Sequence, residues 1–176
     1  VGADPGTEYL SDGITESLIN SLSQLSNLTV MSRSAVFRHK GKDVDPQQAG
    51  RDLGVKAVLA GRITRRGDNL QISAELVDVS NNTHLWGEQY NRTLSDVLAV
   101  QEEISKDISR TLRLKLAGTA DNKPAGYPAA KPEAYDLYLK GRYYWNKRLP
   151  NDVRKGIQFF QEALSIAPGY AAAYAG

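Results

Sequence analysis

The stretch Leu70-Gln71-Ile72-Ser73-Ala74-Glu75-Leu76 decides the fold. Leu70, Ile72, Ala74 and Leu76 alternate with Gln71, Ser73 and Glu75, a period of two that puts the apolar side chains on one face of a strand. Before it, Arg66-Gly67-Asp68-Asn69 is turn chemistry, and Val55, Ala57, Leu59, Gly61 and Ile63 alternate in the same manner up to Arg65. After it, Asn81-Asn82 makes a second tight turn, because Asn tolerates positive φ. His84 to Tyr90 then forms a third strand with Trp86 and Tyr90 on one face. Three strands joined in this way are an antiparallel meander.

Helical periodicity flanks the meander. Asp45 to Leu53 reads as a helix with Pro46 in its first turn and Gly54 as a left-handed cap. Further upstream, Asp12 is the expected N-cap of a helix whose Ile14, Leu18, Leu22 and Leu25 share one face. Leu28-Thr29-Val30-Met31 between them reads as a short buried strand. Beyond the meander, Val97, Leu98, Ile104, Ile108, Leu112 and Leu116 mark a long helix from Leu94. The expected class is therefore α/β (α+β): a small mixed sheet containing the meander, with helices on one face. A strand ahead of the first helix would complete a βαβ unit and is expected upstream of Val1. The start, Val1-Gly2-Ala3-Asp4, has neither an initiator Met nor a signal pattern and reads as a cut inside a longer chain.

At 176 residues, 41% hydrophobic and 24% charged, the composition is that of a globular protein. Without cysteine there are no disulfides, thiolate metal sites or Cys nucleophile. A formal charge of +2 does not recruit nucleic acid or a membrane by bulk attraction. No apolar run reaches the roughly 18 residues of a membrane span. The side of a membrane on which the chain works is not encoded.

Gly118 to Lys131 is rich in Gly, Ala and Pro and reads as a linker. The division expected is 1–117 for the α/β domain, 118–131 for the linker and 132–176 for a helical segment. Pro132 to Pro168 splits into two amphipathic helices around Leu149-Pro150-Asn151-Asp152. Leu137, Lys140-Gly141, Tyr144, Gly156, Phe160, Ala163 and Pro168 resemble the tetratricopeptide (TPR) pattern. Ala171 restarts it 37 residues after Ala134, near the usual spacing of about 34. That resemblance implies a groove lined by Tyr135, Tyr138, Arg142, Trp145 and Asn146, residue types that dominate binding energy at interfaces. The partner it implies is a protein or peptide, with self-association as a further outcome.

Other chemistry is weak. Gly61 to Gly67 lacks the Lys-Ser/Thr of a phosphate loop and sits on a hairpin. His39 and His84 are too isolated for a metal site, and Ser11, Ser17 and Ser21 have no adjacent base. Glu102-Glu103 faces partly to solvent on the long helix. No catalytic residues, metal or cofactor are expected. Arg33, Arg38 and Lys40, together with Arg65 and Arg66, are the candidates for an anion site, with a solvated surface as the plainer reading. The sequons at Asn27, Asn82 and Asn91 carry no weight alone.

Tyr9-Leu10-Ser11-Asp12-Gly13-Ile14-Thr15-Glu16, Val30-Met31-Ser32-Arg33, Lys40-Gly41-Lys42, Asp52-Leu53-Gly54-Val55, Val58-Leu59-Ala60-Gly61 and His84-Leu85-Trp86-Gly87-Glu88-Gln89-Tyr90 together resemble the TolB-like amino-terminal domain family over about Tyr9 to Leu116. The resemblance implies a partner array of TPR repeats. It also implies a parent among bacterial eukaryotic-like serine/threonine kinases, winged-helix regulators or adenylate cyclase-like proteins. No kinase, cyclase or winged-helix motif lies in these residues. The expected function is a non-catalytic regulatory region binding a protein partner. The alternatives are anion or nucleic-acid binding through the basic clusters, and a regulatory part of a serine/threonine kinase.

Overall fold

The structure is a computed structural model, and it describes residues 7–25, 28–41, 45–116 and 131–175, with the side chains of 112–116 excepted. Helix α1 (Glu8–Ser23) is followed by a short α2 (Arg33–Val36) that continues into a 3-10 turn (Phe37–His39), and then by α3 (Pro46–Leu53). Strands β1 (Ala57–Arg66), β2 (Asn69–Asp78) and β3 (Thr83–Thr93) come next. Four helices complete the chain: α4 (Val97–Leu116), α5 (Pro132–Asn146), α6 (Pro150–Ile166) and α7 (Ala171–Ala175).

The meander forms as the alternation requires. The strand order is β1-β2-β3, both pairings are antiparallel, and Ile72 stands opposite Ile63 on one side and Tyr90 on the other. Gly67 (φ 63°) and Asn82 (φ 55°) take the left-handed conformations of the two turns. A register shift at Leu76/Val77 interrupts the β2–β3 ladder. Leu70 and Ile72 are buried with Tyr90 against Leu10, Ile14, Leu18 and Leu22 of α1 and Val97, Val100, Ile104 and Ile108 of α4, and Leu76 is buried as well. Each such side chain contributes on the order of 1.5–3 kcal/mol by leaving water.

Helix α3 has the expected ends: the Asp45 carboxylate accepts from Gln48 N (3.3 Å), and Gly54 closes it at φ 65°. It does not share the face of α1 and α4. Gly50 lies against Val79 and Val58, and Val58 points away from the side on which Leu59 packs partly buried against the core, because neighbours alternate along a strand. Helices therefore cover both faces of the sheet, not one. The sheet is also purely antiparallel among the described residues. Among the described residues Leu28–Met31 joins no ladder; Leu28 and Val30 pack partly on the core, and the Leu28 N–H donates back to the Leu25 carbonyl (3.1 Å). Asp12 is not an N-cap: α1 begins a turn earlier, at Thr7.

Among the described residues no helix is long and apolar enough to cross a membrane. The sequence around 118–130 and at Asn27 lies outside the described residues. The pair α5–α6 forms around Pro150 at the first turn of α6. Its crossing is tight at two glycines: a Cβ on Gly141 would meet the Phe160 ring at 2.5 Å, and one on Gly156 would meet the Gly141 carbonyl at 3.0 Å. Tyr144 does not fill that seam with Phe160 but stacks on Phe159 at 5.6 Å. Nor does the pair stand apart. Ala134, Tyr135, Leu139, Ala163, Tyr170 and Ala173 belong to the same apolar cluster as Leu10 and Ile104.

Candidate functional site

Helix α1 carries Glu8, Asp12 and Glu16 four residues apart, so the three carboxylates line one stripe. Two segments deliver cations to it. From the α2 side, Lys40 Nζ lies 2.8 Å from Glu8 Oε1 and 2.6 Å from Asp12 Oδ1. Arg33 approaches Glu16 at 3.7 Å and Asp12 at 4.0 Å, with its guanidinium 3.9 Å over the Phe37 ring. From α5, Arg142 pairs with Glu16, and the Tyr143 hydroxyl donates to Glu8 Oε2 (2.7 Å). Beside them the Tyr9 hydroxyl donates to Asp136 (2.6 Å), which also holds Lys140 (2.7 Å).

Three acids meet three cations, so the cluster is neutral. Its members differ in how they bear burial. The hydrogen bond from Lys40 and then that from Tyr143 hold the Glu8 carboxyl below its usual range. Burial pushes the deeper Asp12 carboxyl up, and Lys40 and Arg33 do not fully pull it back. For Lys40 burial is the largest influence and lowers it, yet the hydrogen bonds to Asp12 and Glu8 together leave it raised. A network of this kind, closed on itself, fastens α2 and α5 to α1 and has no charge to spare for a ligand.

The residues expected to line an open groove meet a different fate. Tyr135 is only 2% exposed; its hydroxyl donates to Gln101 of α4 and lies 3.4 Å from Ser17 Oγ of α1. Tyr138 packs its ring against Tyr135, Phe160 and Tyr170. Arg142 is taken by Glu16. Trp145 and Asn146 are half-buried at the end of α5, with the Trp145 backbone against Gly156. The face of α5 is not a groove because α1 fills it: a Cβ on Gly13 would stand 2.4 Å from Leu139, so the missing side chain admits that leucine. The nearby depression lined by Leu10, Leu94, Leu98 and Leu139 has no room for a water molecule and is a packing seam.

Of the anion-site candidates, Arg33 and Lys40 are spent on α1. Arg65 donates to the Gly67 carbonyl (2.6 Å) and faces Asp68 at 3.9 Å within its own turn. Arg38 and Arg66 are exposed, and no ion pair is seen for either among the described residues. Also among the described residues, no group of His, Asp and Glu is placed to hold a metal ion.

A second cationic cluster went unread in the sequence. Lys147 and Arg148 at the α5–α6 turn and Arg154 and Lys155 early in α6 are all exposed, as is Leu149 between them in sequence. Lys147 Nζ sits 4.4 Å from the Tyr143 ring centre and 5.2 Å from that of Tyr144. Lys155 lies 4.3 Å over Tyr144 and donates to its hydroxyl (3.0 Å). The signal was available as Tyr143-Tyr144-Trp145-Asn146-Lys147-Arg148 followed closely by Arg154-Lys155, with Asp152 the one acid between.

Comparison with known proteins gives two results. Residues 5–111, more than half of the chain, match the family described as HilA/YgeH-like transcriptional regulator, second domain. Over 175 residues the chain is 36% identical to a protein of Rhizobium meliloti (strain 1021) named "Putative adenylate cyclase 3". That alignment covers 99% of this chain but 30% of the relative, so the chain spans under a third of the relative's length. These matches overturn the resemblance to a TolB-like domain followed by TPR repeats in a kinase-associated protein. The short motifs behind that resemblance are pieces of packing, such as the α1 stripe and the Gly54 cap. Such pieces serve the fold whatever family carries it.

Proposed function

The chain belongs to the family of HilA/YgeH-like transcriptional regulator second domains, and from that premise we propose that it is a non-catalytic part of a larger signalling protein, made to bind a protein partner. It is a domain of regulatory type. The observation that supports partner binding is where its apolar surface lies. Among the described residues the exposed large apolar side chains are Leu149 (60%), Ile157 (43%) and Tyr174 (69%), all in the stretch from the α5–α6 turn to α7. The other large apolar side chains among the described residues are at least partly buried. The three exposed ones are spread along this segment, with Leu149 ahead of α6 and Tyr174 beyond it, and it is their confinement to the segment that supports the reading.

The experiment is photocrosslinking from position 157, with position 73 on the exposed side of β2 as control. Adducts with another polypeptide are expected from 157 and not from 73. Equal yields, or none from 157, would overturn the assignment. The nucleic-acid alternative keeps only Arg38 and Arg66 of its original candidates free of ion pairs among the described residues. Salt-sensitive retention on heparin that is lost in Arg38→Ala/Arg66→Ala would favour it.

A further inference from the structure

The α5–α6 turn has more order than a solvated loop requires. Its two lysines are not waving tails: both rest on the ring of Tyr144, which is itself stacked on Phe159. Hydrogen bonding to Tyr143 raises the Lys147 ammonium's pKa, burial opposing it, so the group stays charged at neutral pH. Arg148 takes a left-handed backbone (φ 59°), rare for a residue with a side chain, and it immediately precedes the exposed Leu149. No salt bridge is seen for Lys147, Arg148, Arg154 or Lys155 among the described residues. The C-terminus of α5 and the N-terminus of α6 meet here, so their dipoles offset and the positive field belongs to the side chains.

We propose that this turn and the start of α6 are the docking point for an acidic peptide segment of the partner, with Leu149 taking an apolar side chain and the four exposed cations of this stretch taking its carboxylates. The proposal rests on the protein-binding reading above and adds the partner's chemistry. Charge complementarity carries it: four exposed cations stand against the half-buried Asp152 and against Glu8, which Lys147 also feels but which Lys40 already holds. Cations already held on aromatic rings lose little freedom when a carboxylate arrives. A single-stranded nucleic acid fits less well, because it asks for open aromatic faces on which bases stack. Here Tyr144 is covered by Phe159 and Lys155.

The test uses this chain and three probes: a fluorescent peptide of glutamates with leucines at helical spacing, the same peptide with lysine for every glutamate, and vesicles with and without phosphatidylserine. Fluorescence anisotropy at low salt should show binding of the acidic peptide and none of the basic one. Binding should fall by about tenfold or more in Arg154→Glu/Lys155→Glu, as expected when close charge pairs are reversed. Acidic residues suit the early turns of α6, so this variant should keep the parental circular dichroism and melting curve. Leu149→Ser should weaken binding at unchanged fold. The proposal falls if the acidic peptide binds no better than the basic one, if the double variant binds it undiminished, or if only the anionic vesicles bind. Crosslinking from position 157 that persists in the double variant would sink the acidic partner while leaving the protein-binding reading intact. Its absence from the parent chain would remove both.

Discussion

The molecule holds two clusters of basic side chains, and they behave in opposite ways. At α1, Arg33, Lys40 and Arg142 arrive from different elements and are each met by a carboxylate. At the α5–α6 turn, Lys147, Arg148, Arg154 and Lys155 are exposed and rest at most on tyrosine rings. The first is internal fastening and the second is surface. Counting positive residues along a sequence cannot tell them apart, because what matters is whether the fold brings an acid opposite. The α1 stripe does so for residues 17 to 126 positions away in sequence.

The largest way to break the contrast is to remove the seat of α5. Tyr135→Ala empties a buried volume between α1 and α4 and leaves Gln101 without its phenol donor. A loss of about 3–5 kcal/mol is expected, read by denaturant unfolding. A small loss would mean that α5 is not anchored where the fastening requires.

A smaller effect is expected within the network. Glu16→Gln leaves Arg33 and Arg142 facing a neutral amide, both of them largely but not fully shielded. The cost should be about 1–2 kcal/mol, below that of a fully buried pair because water reaches both arginines. Replacing Arg142 with Met in the same chain should restore part of the loss, and failure to do so would deny that the two residues are coupled.

The pH dependence should single out Glu8. A carboxylate whose folded pKa is depressed contributes stability that is full above the unfolded value, here 4.5, and lost as the pH falls through the folded value. The deficit of Glu8→Gln relative to the parent should therefore be constant at neutral pH and shrink below about 4.5. A deficit that stays level through acid would show that the hydrogen bonds from Lys40 and Tyr143 do not depend on the charge. Asp12, whose folded value is raised, acts in the opposite sense: it favours the fold most when protonated, and that contribution is lost as the pH rises.

The smallest effect belongs to the exposed cluster. Arg154→Glu/Lys155→Glu should change the unfolding free energy by no more than about 0.5 kcal/mol, since these side chains touch little but rings and solvent. A larger loss would make the turn a structural element like the α1 network and erase the contrast.

The meander was legible because alternation, turn glycine and turn asparagine agree with one another, and tertiary contacts did not have to arbitrate. Helix α3 was legible for the same reason, from Asp45, Pro46 and Gly54. Leu28–Met31 misled because a short β-favouring run cannot show whether a neighbouring strand is present. Tyr135 and Arg142 misled differently. Their types suit a binding surface and a buried seat equally, and only the approach of α1 decides between the two. Lys147 and Arg148 were overlooked because the α5–α6 seam drew the reading toward Tyr144 and Phe160. The turn's cations gain meaning only once Lys155 is folded back onto the Tyr144 ring that Lys147 also meets.

Gly13 has a mechanical consequence. Contacts between α1 and α5 run in opposite directions, Ser17 with Tyr135, Gly13 with Leu139 and Glu8 with Tyr143. One turn either side of Gly13 stand Tyr9 and Ser17, which are hydrogen-bonded to Asp136 and Tyr135 of α5. Helix α5 therefore cannot creep along α1 in small steps. If the helical pair moves in the working protein, it must lift away whole and return to the same notch. Docked and undocked would then be two discrete states, and a partner at the far turn would bias the choice between them.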